Sequence, residues 1–331
     1  MRTLKLTDFL LVLLVFFDIG KSFSQTEDII NSPPPSLGFV QTKSALADPS
    51  DLVVLQVPAY LWSYGCANTS AAMLIAYYDQ NCYNNLYTGS KNGGIAPFSN
   101  SPFWPAANDI PGGMNYSNSI SASKNGFDNR VTNGHVDDFW ECYLCAGSDP
   151  NPSWPPHTFS IQPCVADYMG TSQDYWNNLD GSTSVFTDNQ TNTKVSNYTL
   201  CESQTPRKKD GIQGLREYIE QCGYVVIESF NQNIYGYGGV NAGFTFNDFK
   251  AEIDAKRPVL VNFKGHTVIG IGYSTSTNKI RVYTTWSETP WDLVWGTNLT
   301  ASGQNLAMKS VSVIKLQGTI HKKSESIKYF V

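Results

Sequence analysis

The sequence carries little charge for its length. Lys, Arg, Asp and Glu supply 15% of its 331 residues, against about 25% in typical soluble domains. The formal net charge is −5, and the basic cluster Arg207-Lys208-Lys209 is typical of a solvated loop. Proteins that bind nucleic acid or an anionic membrane surface carry an excess of positive charge. The composition therefore disfavours both kinds of partner.

Long apolar runs are also missing. A membrane-spanning helix needs about 20 apolar residues, and the run at residues 9–17 is much shorter. Arg2 and Lys5 precede this run, and the small residues Ser22 and Ser24 follow it. A basic start, a short apolar core and a small-residue site form the pattern of a secretory signal peptide. We expect residues 1–24 to be removed and the chain to be secreted, into the medium or a periplasm; an uncleaved anchor is the alternative.

Histidine is scarce and cysteine is odd in number, with four and seven residues respectively. Disulfides form and persist in exported proteins, and an odd count leaves one thiol without a disulfide partner. We interpret Cys66 as that thiol. The other six can form three disulfides, with a connectivity that the sequence leaves open: Cys82, Cys142, Cys145, Cys164, Cys201 and Cys222.

After the signal peptide, composition divides the chain into a lead-in, a domain with an internal insertion, and a tail. Residues 25–50, rich in Ser, Pro and Thr, are predicted to be a flexible lead-in, and residues 319–331 a polar tail. Between them we predict one domain at residues 51–318. It contains a long insertion, residues 83–205, which is dense in Asn, Ser, Gly, Asp and Pro. We expect this insertion to be loop-rich and held by aromatic packing and disulfides.

Regular patterns flank the insertion. A helix is predicted from about Cys66 to residue 80, and its nearly all-apolar surface is typical of a buried helix. Two further helices are predicted at residues 211–222 and after Thr245, which can form a capping box with Asp248. Strands are predicted at residues 51–57, 224–230, 258–263, 266–273, 279–285 and 308–316. Early helices followed by strands indicate an α+β fold.

Cys66 and His266 are the candidate reactive pair. Cys66 lies at the predicted start of a helix, where the helix dipole and unpaired N–H groups favour the thiolate, the nucleophilic form. A thiol nucleophile also needs a base. His266 opens a predicted strand directly after Lys264-Gly265, a position that projects its imidazole rigidly. The remaining histidines lie in the insertion or the tail: His135, His157 and His321.

Three blocks of sequence carry a resemblance to a known family. They are Val57-Pro58-Ala59-Tyr60-Leu61-Trp62 with Gly65-Cys66-Ala67-Asn68-Thr69-Ser70; Arg257-Pro258-Val259-Leu260-Val261 with Gly265-His266 and Gly270-Ile271-Gly272-Tyr273; and Tyr283-Thr284-Thr285-Trp286. In this order they resemble papain-like cysteine peptidases, in particular the group similar to bacteriocin-processing (double-glycine leader) peptidases, family 39 of the cysteine peptidases. The resemblance implies a nucleophile helix packed on an antiparallel sheet. It also implies Cys66 as nucleophile and His266 as base.

Two positions depart from the family pattern. The family places an Asp or Asn on the strand after the histidine to orient the imidazole; here that position is Thr284 (or Thr285), whose hydroxyl can accept the ring N–H bond. Asp292 is a substitute from the following loop. Papain relatives also place a glutamine before the cysteine to bind the oxyanion, and here the candidates are the Tyr60 hydroxyl and the Trp62 indole N–H. Loss of one such donor typically costs about 100- to 1000-fold in rate.

A zinc site is the competing interpretation of the insertion. Two thiolates and two imidazoles suit tetrahedral zinc, and the insertion offers His135, Cys142, Cys145, His157 and Cys164. Their spacing matches no common zinc module, so disulfides are favoured in an exported chain.

The sequence thus predicts a secreted cysteine peptidase that hydrolyses peptide or protein substrates through a Cys–His acyl-enzyme. No metal or organic cofactor is required for this chemistry. Two alternatives remain at this point. One is a catalytically inactive papain-like module that binds peptide or glycan, which the departures at Thr284 and Tyr60 favour. The other is a transglutaminase-like acyl transferase, which uses the same Cys–His logic.

Overall fold

The protein structure, a computed structural model, describes residues 25–30, 49–63, 65–87, 94–99, 120–121, 165–171, 182–196, 209–301 and 304–318. Several sequence-based predictions lie outside these residues. They are the signal peptide at 1–24, the polar tail at 319–331, most of the insertion, and the possible zinc ligands His135, Cys142, Cys145, His157 and Cys164.

The described residues form an α+β fold around a seven-stranded antiparallel sheet. Its strands are β2 Leu52–Val54, β4 Val226–Asn233, β5 Val259–Phe263, β6 His266–Ser274, β7 Lys279–Tyr283, β8 Trp291–Val294 and β11 Met308–Leu316. The order across the sheet is β4-β11-β5-β6-β7-β8, and the short β2 also pairs with β6. Strand β6 is therefore central, and all nine of its residues are buried.

Two small antiparallel sheets accompany the large one. One pairs β1 Gln25–Ile30 with β3 Thr183–Asp188, and the other pairs β9 Leu299–Ala301 with β10 Gln304–Leu306. The first corrects the predicted lead-in, because residues 25–30 form a strand. Its partner β3 belongs to the predicted insertion, and the antiparallel pairing of the two strands satisfies their facing backbone N–H and C=O groups.

Four helices pack around the sheet in the described residues: α1 Cys66–Gln80, α2 Val165–Tyr168, α3 Gly211–Gln221 and α4 Phe246–Asp254. Every residue of α1 except Gln80 is buried, and the helix packs on β6. A helix that is apolar on nearly all sides must be buried on nearly all sides, and α1 is. Helix α4 begins with the predicted capping box, in which Thr245 and Asp248 exchange side-chain and backbone hydrogen bonds. None of the described helices combines the length and apolarity needed to cross a bilayer.

The described cysteines are Cys66, Cys82 and Cys222, and no two of them lie at disulfide distance from each other. Cys222 is half-buried at the end of α3, and burial raises the pKa of its thiol to about 12. The remaining predicted disulfide cysteines lie outside the described residues.

The insertion docks on the main domain through α2. Helix α2 packs against α3 where Gly214 faces the backbone of Tyr168. A Cβ atom at Gly214 would lie 2.0 Å from the Tyr168 carbonyl oxygen. The Tyr168 and Tyr218 rings then meet edge to face with centroids 5.4 Å apart. A residue without a side chain therefore permits this close helix contact.

We expect Gly214→Ala to lower the free energy of unfolding by at least about 2 kcal/mol, because a side chain there must displace backbone rather than a flexible side chain. Urea denaturation of the full chain measures this cost. Arg216→Ala is the control on the same helix, since Arg216 pairs with Glu220 at a partly exposed position and should cost under about 1 kcal/mol. Equal losses in the two variants would contradict the tight contact.

Candidate active site

Cys66 is the first residue of α1, and its side chain is fully buried. The helix begins without a side-chain cap on its first N–H groups. The backbone N–H of Thr267 donates a hydrogen bond to Cys66 Sγ at 3.4 Å. A helix start and an N–H donor both stabilise a thiolate more than a thiol. The surroundings of Cys66 therefore suit a nucleophilic sulfur.

A second hydrogen bond ties α1 to the same peptide of β6. Ser70, one turn after Cys66, donates its hydroxyl hydrogen to the Thr267 carbonyl oxygen at 3.1 Å. Helix α1 thus contacts both the N–H and the C=O of Thr267. Because Thr267 directly follows His266, these bonds bring the sulfur to the part of β6 that carries the imidazole.

His266 is held at the start of β6 by a two-residue turn. Lys264 and Gly265 connect the paired residues Phe263 and His266, and Gly265 adopts a φ of 86°. A positive φ of this kind favours glycine. The prediction that His266 opens a strand is confirmed, and the structure adds that this strand is central in the sheet.

The imidazole of His266 is fixed on two sides. Its Nε2 donates to the Thr284 carbonyl oxygen at 2.9 Å, and its ring stacks on Trp286 with centroids 4.1 Å apart. Because a carbonyl oxygen only accepts, Nε2 carries the hydrogen and Nδ1 is the basic nitrogen. Nδ1 is buried and has no hydrogen-bond partner among the described residues. This is the tautomer that a proton-accepting histidine requires.

The structure corrects the prediction for Thr284. Strand β7 ends at Tyr283, so Thr284 lies beyond it, and its carbonyl oxygen rather than its hydroxyl holds His266. The hydroxyl is buried without a hydrogen-bond partner among the described residues. The proposed substitute, Asp292, instead forms two hydrogen bonds of 2.8 and 2.9 Å with Arg281. A carbonyl can fix the ring but supplies no full negative charge.

The next residue, Thr285, joins the site to the segment before Cys66. Its φ is 67°, a left-handed conformation that is rare for a β-branched residue. This conformation turns the chain so that the Thr285 carbonyl oxygen accepts from the Trp62 backbone N–H at 2.6 Å. Two successive carbonyls therefore hold two different parts of the site, His266 and Trp62.

The candidate oxyanion donors, Tyr60 and Trp62, differ in whether their donor hydrogen is already bonded to a described acceptor. The Tyr60 hydroxyl donates its hydrogen to the Pro97 carbonyl oxygen at 2.6 Å, so the prediction that it donates to an oxyanion is corrected. The Trp62 indole is buried, and its Nε1–H has no acceptor among the described residues. Of the two predicted donors, Trp62 is thus the one whose hydrogen is not already bonded to a described acceptor.

Sequence reasoning missed the residues that hold the loop before Cys66. The Ser63 carbonyl oxygen accepts from Asn68 Nδ2 and from Ser121 Oγ, both at 2.9 Å, while the Ser63 N–H donates to Thr69 Oγ1 at 2.9 Å. Asn68 and Thr69 are buried polar residues in the first turns of a helix that is apolar over most of its length, which is the signal that could have identified them. Ser121 comes from the insertion and gave no such signal.

The electrostatics of the site are dominated by burial. Burial lowers the pKa of His266 from 6.5 to about 3, and the hydrogen bond to Thr284 opposes this shift only in part. The imidazole is therefore neutral near pH 7, and no carboxylate contacts it among its described hydrogen-bond partners. In this state His266 carries no positive charge that could pair with a Cys66 thiolate.

The described residues contain no cluster of three or more His, Cys, Asp or Glu side chains that could hold a metal ion. No protein-family model matches the sequence, and no curated protein and no solved structure matches the chain.

The contribution of His266 to the free energy of unfolding should decrease as the pH falls below about 6.5. Unfolded His266 binds a proton near that pH, whereas folded His266 stays neutral down to about pH 3. The unfolded state therefore binds more protons in this window, which costs up to about 1.4 kcal/mol of stability per pH unit. Urea denaturation across this pH range measures the slope. His266→Gln keeps an N–H for Thr284 but cannot titrate, so its slope should be smaller; identical slopes would contradict a buried neutral imidazole.

Proposed function

We propose that this chain is a cysteine peptidase with a papain-like fold, in which Cys66 is the nucleophile and His266 the general base. One observation carries the proposal. The Thr267 N–H binds Cys66 Sγ, while the adjacent His266 is fixed through Nε2 and keeps Nδ1 available as a base. A nucleophile, a base and a group that orients the base are the parts that covalent acyl transfer requires.

The architecture around the pair supports the papain-like assignment. A buried helix starts at Cys66 and packs on the central strand of an antiparallel sheet, and that strand starts at His266. Rigid elements hold both side chains, which favours a catalytic site over two unrelated core residues. The stacking of Trp286 on the imidazole shields the His266–Thr284 hydrogen bond from water.

In the proposed first step, Cys66 Sγ attacks the carbonyl carbon of the scissile peptide and forms a carbon–sulfur bond. His266 Nδ1 accepts the thiol proton and then delivers it to the leaving amine nitrogen as the carbon–nitrogen bond breaks. The Trp62 Nε1–H and the Cys66 backbone N–H are the proposed donors to the oxyanion. The product is a thioester on Cys66 and a free amine.

In the second step, water attacks the thioester carbonyl carbon. His266 Nδ1 takes a proton from the water and returns one to the sulfur as the carbon–sulfur bond breaks. A carboxylic acid is released and the Cys66 thiol is restored. The protein's own residues suffice for both steps, so the proposal involves no metal or organic cofactor.

The low pKa of His266 changes one feature of this mechanism. The resting imidazole is neutral, and the proposed nucleophile starts as a thiol, so proton transfer accompanies attack. The Thr267 N–H and the start of α1 then stabilise the negative charge that develops on sulfur.

The proposal also includes secretion of the protein and a peptide or protein as its substrate. The apolar run at residues 9–17 supports secretion, and the acidic balance of the chain supports a peptide or protein partner over nucleic acid. The proposed secreted enzyme acts after removal of residues 1–24 and needs no membrane for its chemistry.

The burial of the reactive pair favours a second candidate, a catalytically inactive papain-like module that binds peptide or glycan. Cys66 and His266 both have 0% exposure, and His266 lacks a carboxylate partner among its described hydrogen bonds. A peptidase with this site must open before substrate can reach the sulfur. A binding module would keep the pair as part of its core.

Labelling of the purified protein with an epoxide inhibitor of the E-64 type, followed by peptide mapping, distinguishes these functions. The peptidase proposal predicts labelling of Cys66 that is lost in His266→Gln and hydrolysis of a peptide library that is lost in Cys66→Ala. Cys82 and Cys222 provide internal controls, because neither lies at a helix start. A folded protein whose Cys66 resists labelling and which cleaves no peptide would instead be the binding module.

The oxyanion assignment gives a separate prediction for two neighbouring aromatic residues. Trp62→Phe removes the indole N–H but keeps an aromatic ring, and it should lower kcat about 100-fold with little change in KM. Tyr60→Phe removes the bond to Pro97 and should cost about 1 kcal/mol of stability while leaving kcat within about threefold. Steady-state kinetics and urea denaturation measure both effects. If Tyr60→Phe lowered kcat as much as Trp62→Phe, the assignment would be reversed.

A further inference from the structure

A row of buried polar side chains crosses the sheet from β6 to the start of α3. The Thr267 hydroxyl donates to Asn262 Oδ1 at 2.8 Å, and Asn262 Nδ2 donates to Ser312 Oγ at 3.0 Å. Ser312 Oγ donates to Asn231 Oδ1 at 2.6 Å, and Asn231 Nδ2 donates to the Asp210 carboxylate at 2.8 Å. All five side chains are buried. We call these five residues the polar row.

Every donor in the polar row points toward Asp210. An ionised carboxylate only accepts hydrogen bonds, so Asn231 must present its N–H group to Asp210 and its oxygen to Ser312. The Ser312 hydroxyl hydrogen is then directed to Asn231, which leaves its oxygen to accept from Asn262. The Asn262 oxygen in turn accepts from Thr267. Hydrogen bonds aligned in this way polarise one another in a low-dielectric interior.

The acceptor end of the polar row is fixed by backbone groups. Asp210 is the N-cap of α3 and accepts from the N–H groups of Ile212 at 2.9 Å and Gln213 at 3.1 Å. It also accepts from the Phe186 N–H of β3 at 2.9 Å. These bonds hold the carboxylate in one orientation, so the direction of the polar row is set by the start of a helix.

The donor end of the polar row is the residue that holds the nucleophile. Thr267 bonds Asn262 through its side chain and Cys66 Sγ through its backbone N–H. A small cavity beside the polar row is lined by Asn262, Thr267 and Ser312, together with Ala67 of α1. Loss of the Ser312 hydroxyl would enlarge this space and leave the Asn262 amide with one hydrogen-bond partner fewer. Thr267 would then be less firmly held against the sulfur.

We propose that the polar row positions the Cys66 nucleophile, with Ser312 as its central link. Ser312 contacts neither the sulfur nor the imidazole and acts through Asn262 and Thr267, so it is a positioning residue. The inference rests on the proposed function, because positioning of the sulfur matters to the reaction only if Cys66 is the nucleophile.

The test compares Ser312→Ala with Ser310→Ala in the full chain. Both serines are buried on β11, and both accept from Asn262, Ser310 at 3.3 Å. Ser312 continues the row to Asn231, which makes Ser310→Ala the matched control.

Cysteine labelled with ¹³C at Cβ reports the titration of Cys66 by NMR. We expect Ser312→Ala to raise the midpoint of this titration by about half a pKa unit or more, since the thiolate is held less well by the Thr267 N–H. Ser310→Ala should leave the midpoint and the resonance position unchanged.

A Cys66 resonance and titration that are the same in all three proteins would overturn the proposal. Equal changes in both variants would also overturn it, because they would report a general loosening of the core. Peptide hydrolysis is measured separately on the same samples. A shift confined to Ser312→Ala in a protein without peptidase activity would retain the positioning role and reject the proposed function. Peptide hydrolysis without a titration shift confined to Ser312→Ala would support the proposed function and reject the positioning role.

Discussion

The peptide group of Thr267 joins the two elements on which the site depends. Helix α1 carries the sulfur and β6 carries the imidazole, and these elements lie about 200 residues apart in the chain. Cys66 and Ser70 contact the N–H and the C=O of Thr267, so helix and strand meet in a fixed register. Burial of α1 stabilises its packing on the sheet, but the hydrophobic effect has no direction and does not by itself fix the rotation of the helix. The two directional hydrogen bonds to Thr267 fix this rotation.

The sequence predicted the elements whose patterns are local. Helix α1, the capping box of α4 and the turn before His266 follow from apolar runs, Thr245 with Asp248, and Gly265. Strand β6 follows from a run of apolar residues that is buried throughout. The pairing of β1 with β3 was not predictable in the same way. It joins residues 25–30 to residues 183–188, and a long-range pairing leaves little trace in either short segment.

The candidate site shows a related limit. The positions of Cys66 and His266 could be predicted, because a cysteine at a helix start and a histidine after a glycine turn have sequence signals. The role of Thr284 could not, because a backbone carbonyl is common to every residue and its direction depends on the φ of Thr285. The polar row was equally hidden, since isolated serines and asparagines in strands are not distinctive until the register aligns them.

The left-handed backbone of Thr285 has an evolutionary consequence. A β-branched residue at a φ of 67° gives up about 1–3 kcal/mol of conformational energy, and glycine or asparagine would adopt the same backbone more easily. A glycine there would also enlarge the freedom of the segment that aims carbonyls at His266 and Trp62. Stability of the fold and rigidity of this segment thus make opposite demands on residue 285, and this chain meets the demand for rigidity.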